Sequence, residues 1–241
     1  MFRTVLTSLL AVLVLCGSAF AAEKTLIAAA NPTWPPMEFL DENKNIIGYD
    51  RDIIAAIAEE IGMKSEFRNI AWDGIFASLE SGQANVIASC VTITDKRKKA
   101  YVFSDPYYEV HQAVVVAKDS AIKKPEDLKG KKVGVQIGTT AIEALRKMNV
   151  DIDLRTYDEV GLVFEDMRNG RLDVVVCDDP VARYYASRKE GYKDLMKVAF
   201  LTEDVEYIGF VFSKDNAELA AQVNKGENGK EKAIRNKWLG E

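Results

Sequence analysis

Residues 72–108, WDGIFASLESGQANVIASCVTITDKRKKAYVFSDPYY, constrain the fold of this chain more than any other stretch. They read as a helix, a buried strand, a Thr-rich loop carrying Arg97 and a Phe-Ser-Asp-Pro-Tyr turn. That order sets a fixed guanidinium just beyond the end of a strand. Open α/β sheets hold their ligands there, outside the carboxyl ends of the strands.

The same alternation runs along the rest of the chain. Residues 25–30 form a short apolar strand, followed by NPTWPPMEF, whose three prolines are expected to exclude regular structure. Gly48-Tyr49-Asp50 leads into a helix with apolar residues at 53, 54, 57, 58 and 61, a helical period that Gly62 ends. A strand near 64–69 precedes a helix over 73–81, expected to be capped by Asp73 and closed by Gly82, and then a strand over 84–90. Strand 113–117, the loop KKPEDLKGK, strand 132–136 and a helix opening at Gly138-Thr139-Thr140 come next. Helix 158–169 ends at Gly170, strand 173–177 ends at Asp178-Asp179, and strand 208–212 leads to a C-terminal helix. The pattern predicts an α/β protein with mostly parallel sheets, in two similar halves joined near 110–116 and 202–208.

The start of the chain predicts export. Arg3 supplies a positive charge, residues 5–16 are apolar, and Ala19-Phe20-Ala21 is a small-x-small cleavage site, so a signal peptide of residues 1–21 is expected. Leu15 stands where a lipoprotein signal wants a small residue, which argues against lipidation at Cys16. The apolar run is shorter than the ~20 residues that span a bilayer. With 32 Lys and Arg against 37 Asp and Glu, the mildly acidic chain is a poor partner for nucleic acid. Cys90 and Cys177 each close an apolar run, NVIASC and DVVVC, and read as small buried hydrophobes, a disulfide being the other reading. Two thiols and the single His111 make a poor metal set, so neither metal nor cofactor is expected.

Seven segments then carry a family resemblance: PTWPPMEF, GYDRDIIAAIA, WDGIFASLESG, TITDKRKKAYVFSDPYY, KGKKVGVQIGTT, GRLDVVVCDDPVA and the closing KWLG. With these in order across almost all of 22–241, the chain resembles the periplasmic amino-acid-binding proteins of ABC importers, the extracellular solute-binding proteins of family 3. The resemblance implies the type II periplasmic-binding-protein fold, two α/β lobes joined by two hinge strands around a cleft. Lobe 1 would comprise 22–111 plus 205–241, and lobe 2 residues 112–204. It further implies a periplasmic monomer that traps an L-amino acid by hinge closure and delivers it to an ABC transporter membrane permease. Binding, not catalysis, is the expectation. The alternative is an enzyme on the same scaffold, similar to the cyclohexadienyl dehydratases, for which Glu38 and Glu109 are the candidate acids. A third reading is the sensor module of a signalling receptor.

An α-carboxylate calls for a planar fork of donors, which Arg supplies and Lys does not. Arg97 in TDKR matches the family arginine that grips this group, against the bland reading of a solvated Arg in a basic run. Thr92 resembles its hydroxyl neighbour. Gly138-Thr139-Thr140 opens a helix whose unpaired amides and dipole favour an anion, with Gly138 permitting close approach; a bare N-cap would also explain it. Asp178 matches the family aspartate that pairs with the α-ammonium, Asp179 beside it being a surface or cap residue, although either could simply cap the next helix. Ser89 and Cys90 match pocket-lining positions, Cys90 departing from the commoner serine or glycine. Trp34 and Trp72 match positions that flank the ligand side chain, where a core Trp is the plain alternative. Asn31 stands where binders of basic amino acids carry an acid, which leans towards a neutral polar ligand, while Glu38 keeps arginine and lysine open.

The C-terminal region departs from the family. Between Val223 and Gly229 the family's apolar helix residues give way to NKGEN, and glycine costs a helix ~1 kcal/mol relative to alanine. A shortened or broken helix on lobe 1, away from the cleft, is expected.

Overall fold

The computed structural model describes residues 24–226 and 229–240; the expected signal peptide lies outside them. Two five-stranded sheets organise the chain. The first runs Lys64–Asn69, Thr25–Ala30, Val86–Ile87, Val211–Phe212, Val102–Phe103. The second runs Asp153–Tyr157, Lys132–Gln136, Val174–Asp178, Gln112–Ala117, Met196–Leu201. Each is the core of one lobe.

Val114, Val115 and Val116 and their partners Val174, Val175 and Val176 are all fully buried or nearly so. A continuous apolar run without alternation is what a strand covered on both faces requires. Helix Val160–Arg168 covers one face with Val160, Val163, Phe164 and Met167, and Phe164 stacks on Tyr185 at 3.7 Å between centroids. This close approach depends on Gly134, since a Cβ there would sit 2.4 Å from Leu172 Cδ1 and 2.5 Å from Val163 Cγ1. In the first lobe, helix Tyr49–Glu60 buries Ile53, Ile54, Ile57 and Ala58 of the predicted stripe, while its fifth member, Ile61, caps the helix and is half-buried.

The chain passes between lobes along two strands, Tyr108–Val110 and Glu206–Ile208, paired antiparallel as a ribbon. These lie close to the joins read from the sequence.

Several expectations are corrected. The sheets are mixed rather than mostly parallel: the Thr25–Ala30 and Lys132–Gln136 pairings are parallel, but Val211–Phe212 and Gln112–Ala117 each run antiparallel to both neighbours. Those two strands enter from distant sequence, so no local pattern reveals their direction. The proline-rich segment does hold strand, because Thr33–Trp34 and Glu38–Leu40 pair around Pro35 and Pro36, leaving the prolines at the turn. The helix expected over 73–81 is a 3-10 turn, Trp72–Gly74, followed by Ala77–Glu80, and Asp73 lies inside the turn rather than capping it. The strand expected over 84–90 narrows to Val86–Ile87, and the chain then bends away, Cys90 adopting φ +47°. Arg97 rides on a short helix, Asp95–Lys98, whose N-terminus is capped by the Thr94 hydroxyl accepting from the Arg97 amide at 3.2 Å, not on an open loop. The C-terminal region is two helices, Ala217–Lys225 and Glu231–Leu239. That is the broken helix the sequence led one to expect, and neither piece lines the cleft, but the second touches the opposite lobe: Arg188 donates to the Trp238 and Leu239 carbonyls at 2.6 and 2.7 Å.

Candidate functional site

A small cavity lies between the lobes. Its wall is built at strand exits. Asn31 follows Thr25–Ala30; Ser89, Cys90 and Thr92 follow Val86–Ile87; Gln136 ends Lys132–Gln136; Asp178 ends Val174–Asp178. Parallel strands of both sheets therefore aim their carboxyl ends at one space. Trp34, Trp72, Arg97, Thr139 and Thr140 complete the set of ten residues singled out from the sequence, and all ten line this cavity. Glu38 and Gln136 line it too. Gln136 carried no sequence signal beyond its place at a strand end.

The Arg97 guanidinium is oriented from both lobes. Nη1 donates to the Thr92 carbonyl at 2.8 Å and Nη2 to the Gly138 carbonyl at 3.2 Å, with the Trp72 ring 5.8 Å away. The side chain is half-buried and held by two carbonyls rather than free in a basic run, and burial pushes its pKa down while Asp178 and Glu206 pull it back up. Gly138 makes a close approach at φ +76°, but its neighbour is a side chain of the other lobe: a Cβ would lie 3.1 Å from Trp72 Nε1.

Thr140 precedes helix Ala141–Met148 without capping it through its side chain. Its hydroxyl donates instead to Glu206 Oε2 at 2.6 Å on the hinge ribbon, and approaches Thr92 Oγ1 across the cleft at 3.3 Å. Thr139 donates to the Gln136 carbonyl at 2.8 Å.

Asp178 occupies the cap position of helix Asp179–Ser187, but its carboxylate does not cap. It turns into the cleft, where Oδ1 accepts from Gln112 Nε2 at 2.6 Å and Oδ2 from the Cys90 thiol at 3.5 Å. Burial, then the charge of Glu206, raises its pKa to about 7. Asp179 faces elsewhere, accepting from the His111 amide at 3.0 Å and from Arg183 at 3.0 Å.

Two further carboxyls sit behind or beside this group. Glu38 is 1% exposed; Oε1 accepts from Ser89 Oγ at 2.8 Å, and Ser89 in turn accepts from the Asn31 amide at 3.0 Å. Burial, and then the neighbouring Asp50 and Asp178, push Glu38 well above the usual carboxylate range. Asp50 Oδ2 accepts from the Cys90 amide at 2.5 Å and from Tyr107 at 2.8 Å, and burial raises it to about 7. Glu109, the other acid considered, is exposed and outside the cavity. The cleft is thus a strongly acidic enclosure holding one fixed guanidinium, walled by two tryptophans. The pair Cys90 and Cys177 are free thiols, both buried. No group of three or more potential metal ligands occurs among the described residues.

Comparison with known proteins agrees with this architecture. A family model described as bacterial extracellular solute-binding proteins, family 3, matches residues 26–241. The chain is 32% identical over 223 residues to the L-cystine-binding protein TcyJ of Escherichia coli (strain K12), covering 90% of this chain and 83% of the relative. In three dimensions it is similar to an ancestral arginine-binding protein bound to arginine, with TM-score 0.83, 37% identity, and 90% and 99% of the two chains covered. An ancestral amino acid-binding protein, a precursor of cyclohexadienyl dehydratase, matches with TM-score 0.81 and 35% identity over 89% of this chain and 95% of that one.

Proposed function

From the premise that this chain belongs to the bacterial extracellular solute-binding proteins of family 3, we propose that it captures an L-amino acid between its lobes and hands it to an ABC transporter permease. The observation that carries this is the pairing of Arg97 and Asp178 in one buried cavity, approached from opposite lobes. Arg97 supplies the fork for an α-carboxylate, with Thr92 and the amides ahead of Ala141–Met148 beside it. Asp178 supplies the acceptor for the α-ammonium. Trp34 and Trp72 cover the ligand's carbons, and Ser89, Cys90, Asn31, Thr139 and Thr140 fill the remaining wall. Lobe 1 then comprises 22–111 plus 205–241 and lobe 2 residues 112–204, with closure occurring on the ribbon Tyr108–Val110 and Glu206–Ile208. Only the closed form joins Arg97, Thr92 and Cys90 to Gly138, Thr140 and Asp178, so a ligand touching both sets favours closure by differential contact. Residues 1–21 direct export to the periplasm, and the exported protein works as a monomer without nucleic acid.

A thermal-shift screen against the twenty amino acids tests this, because a ligand that binds only the folded state raises the midpoint. At least one amino acid is expected to raise it, and Arg97→Ala to abolish the rise. Glu38, an acid enclosed in the cleft, keeps a dehydratase-like activity open to the same experiment. Consumption of prephenate or arogenate, with no shift by any amino acid, would replace transport with catalysis.

A further inference from the structure

We propose that Glu38 forms a second cation-accepting subsite in the cleft, so that the preferred solute is an amino acid whose side chain ends in a guanidinium or an ammonium. This rests on the reading above, in which Arg97 and Asp178 take the two groups common to all amino acids. Glu38 is then left over. Its Oε1 is engaged by Ser89, but Oε2 is buried without a protein partner although the side chain lines the cavity.

The charges around it leave that oxygen uncompensated. Among the described residues lining the cavity, Arg97 is the basic one, and its guanidinium is turned to the Thr92 and Gly138 carbonyls. The charged neighbours that act on Glu38 are acids, Asp50 and Asp178. Asp50 stands behind it and offers no countercharge, its own Oδ1 being likewise buried and unpartnered. A buried carboxylate without a countercharge is costly, and a ligand cation removes the cost where a neutral side chain does not. Neighbouring groups suit the same occupant. Asn31 Oδ1 accepts one bond, from Thr33 at 2.8 Å, and has a lone pair left for a further N–H. Trp34 and Trp72 offer aromatic faces to the methylene stem and to a cation. The amide at position 31, which by itself points to a neutral ligand, is therefore outweighed by the acid seven residues later.

Arginine and citrulline decide the matter, since they share shape and differ in end-group charge. Calorimetric titration of the exported protein is expected to give arginine or lysine at least ~30-fold tighter binding than citrulline and glutamine, the range for stranding one partner of a buried charge pair. Glu38→Gln keeps an acceptor for Ser89, and should weaken arginine by a similar factor while leaving citrulline unchanged or tighter. Equal affinity of the unaltered protein for arginine and citrulline would overturn the inference without need of the variant. So would unchanged arginine affinity in a folded Glu38→Gln protein. If only neutral amino acids bind, and Arg97→Ala abolishes that binding, the subsite falls and the amino-acid site stands. If no amino acid binds at all, both fall.

Discussion

At the scale of single residues, the site places one fork of donors among acids that are poorly solvated. Arg97→Lys keeps the charge but loses the planar geometry that reaches the Thr92 and Gly138 carbonyls together. An affinity loss of about tenfold or more is expected by calorimetry, with little change in unfolding temperature. Asp50 and Asp178 predict an unusual pH profile. In the closed form both carboxyls hold protons up to about pH 7, whereas the unfolded chain gives them up near the ordinary value of 3.8. Their contribution to stability is fully present below that value, drains away as pH rises towards 7, and is gone above it. The ligand-free unfolding temperature should therefore fall between pH 5 and 8 by a few degrees through Asp50, whose partners Cys90 and Tyr107 lie in its own lobe, and Asp50→Asn should flatten the fall. A profile that instead rises over that range would contradict the buried, uncompensated state of these acids. Which residues gather at the site was partly legible: Arg97, Asp178 and the two tryptophans stand out by chemistry and by resemblance. Gln112, Gln136, Glu206 and Asp50 were not, because their parts come from what they face across the fold: Gln112 and Glu206 meet Asp178 and Thr140 only after strands far apart in sequence have paired.

At the scale of elements, local rules held where the signal is local. The helical stripe of 53, 54, 57 and 58 appears as Tyr49–Glu60, and Gly62, at φ +71°, follows its end. Strands Thr25–Ala30 and Lys132–Gln136 match the apolar patterns that announced them, and Lys64–Asn69 forms where a strand was expected between two helical signals. The pieces that escaped notice are short or edge strands such as Val102–Phe103 and Asp153–Tyr157, which have two residues or largely exposed faces and so no strong pattern. Glycine at 138 shows how an element can be shaped by another lobe. Its left-handed φ strains any other residue, and an added Cβ would lie 3.1 Å from Trp72 Nε1, so that the indole would have to give way by a few tenths of an ångström. Gly138→Ala should cost about 1–2 kcal/mol in urea unfolding from backbone strain alone. Ligand affinity should fall as well, because the added methyl shifts the Trp72 ring in the cavity wall; unchanged affinity would show that this contact serves packing only.

On the scale of the whole molecule, the lobes meet at the cleft and again at its rim. Arg188, beside helix Asp179–Ser187, donates to the last carbonyls of Glu231–Leu239, and Phe39 of the first lobe lies 6.2 Å from Tyr184 of the second. A guanidinium at a helix C-terminus is favoured by the unpaired carbonyls and the dipole there. Arg188→Ala should weaken closure: X-ray scattering of the ligand-saturated protein is expected to give a larger radius of gyration, and titration a several-fold weaker affinity, with the ligand-free shape unchanged. Identical scattering of the two ligand-bound proteins would remove the rim contact from the account of closure. The amino-acid sequence by itself determined the α/β class, the two-part organisation and the family, because periodicity, terminating glycines and ordered motifs are local properties of the chain. Only the tertiary structure decided that both sheets are mixed, that Glu38, Asp50 and Asp178 share one enclosure, and that Gly138 meets Trp72. Those facts depend on which distant segments pair and on how much water the pairing excludes, and neither burial nor the potential it creates is a property of any short run of residues.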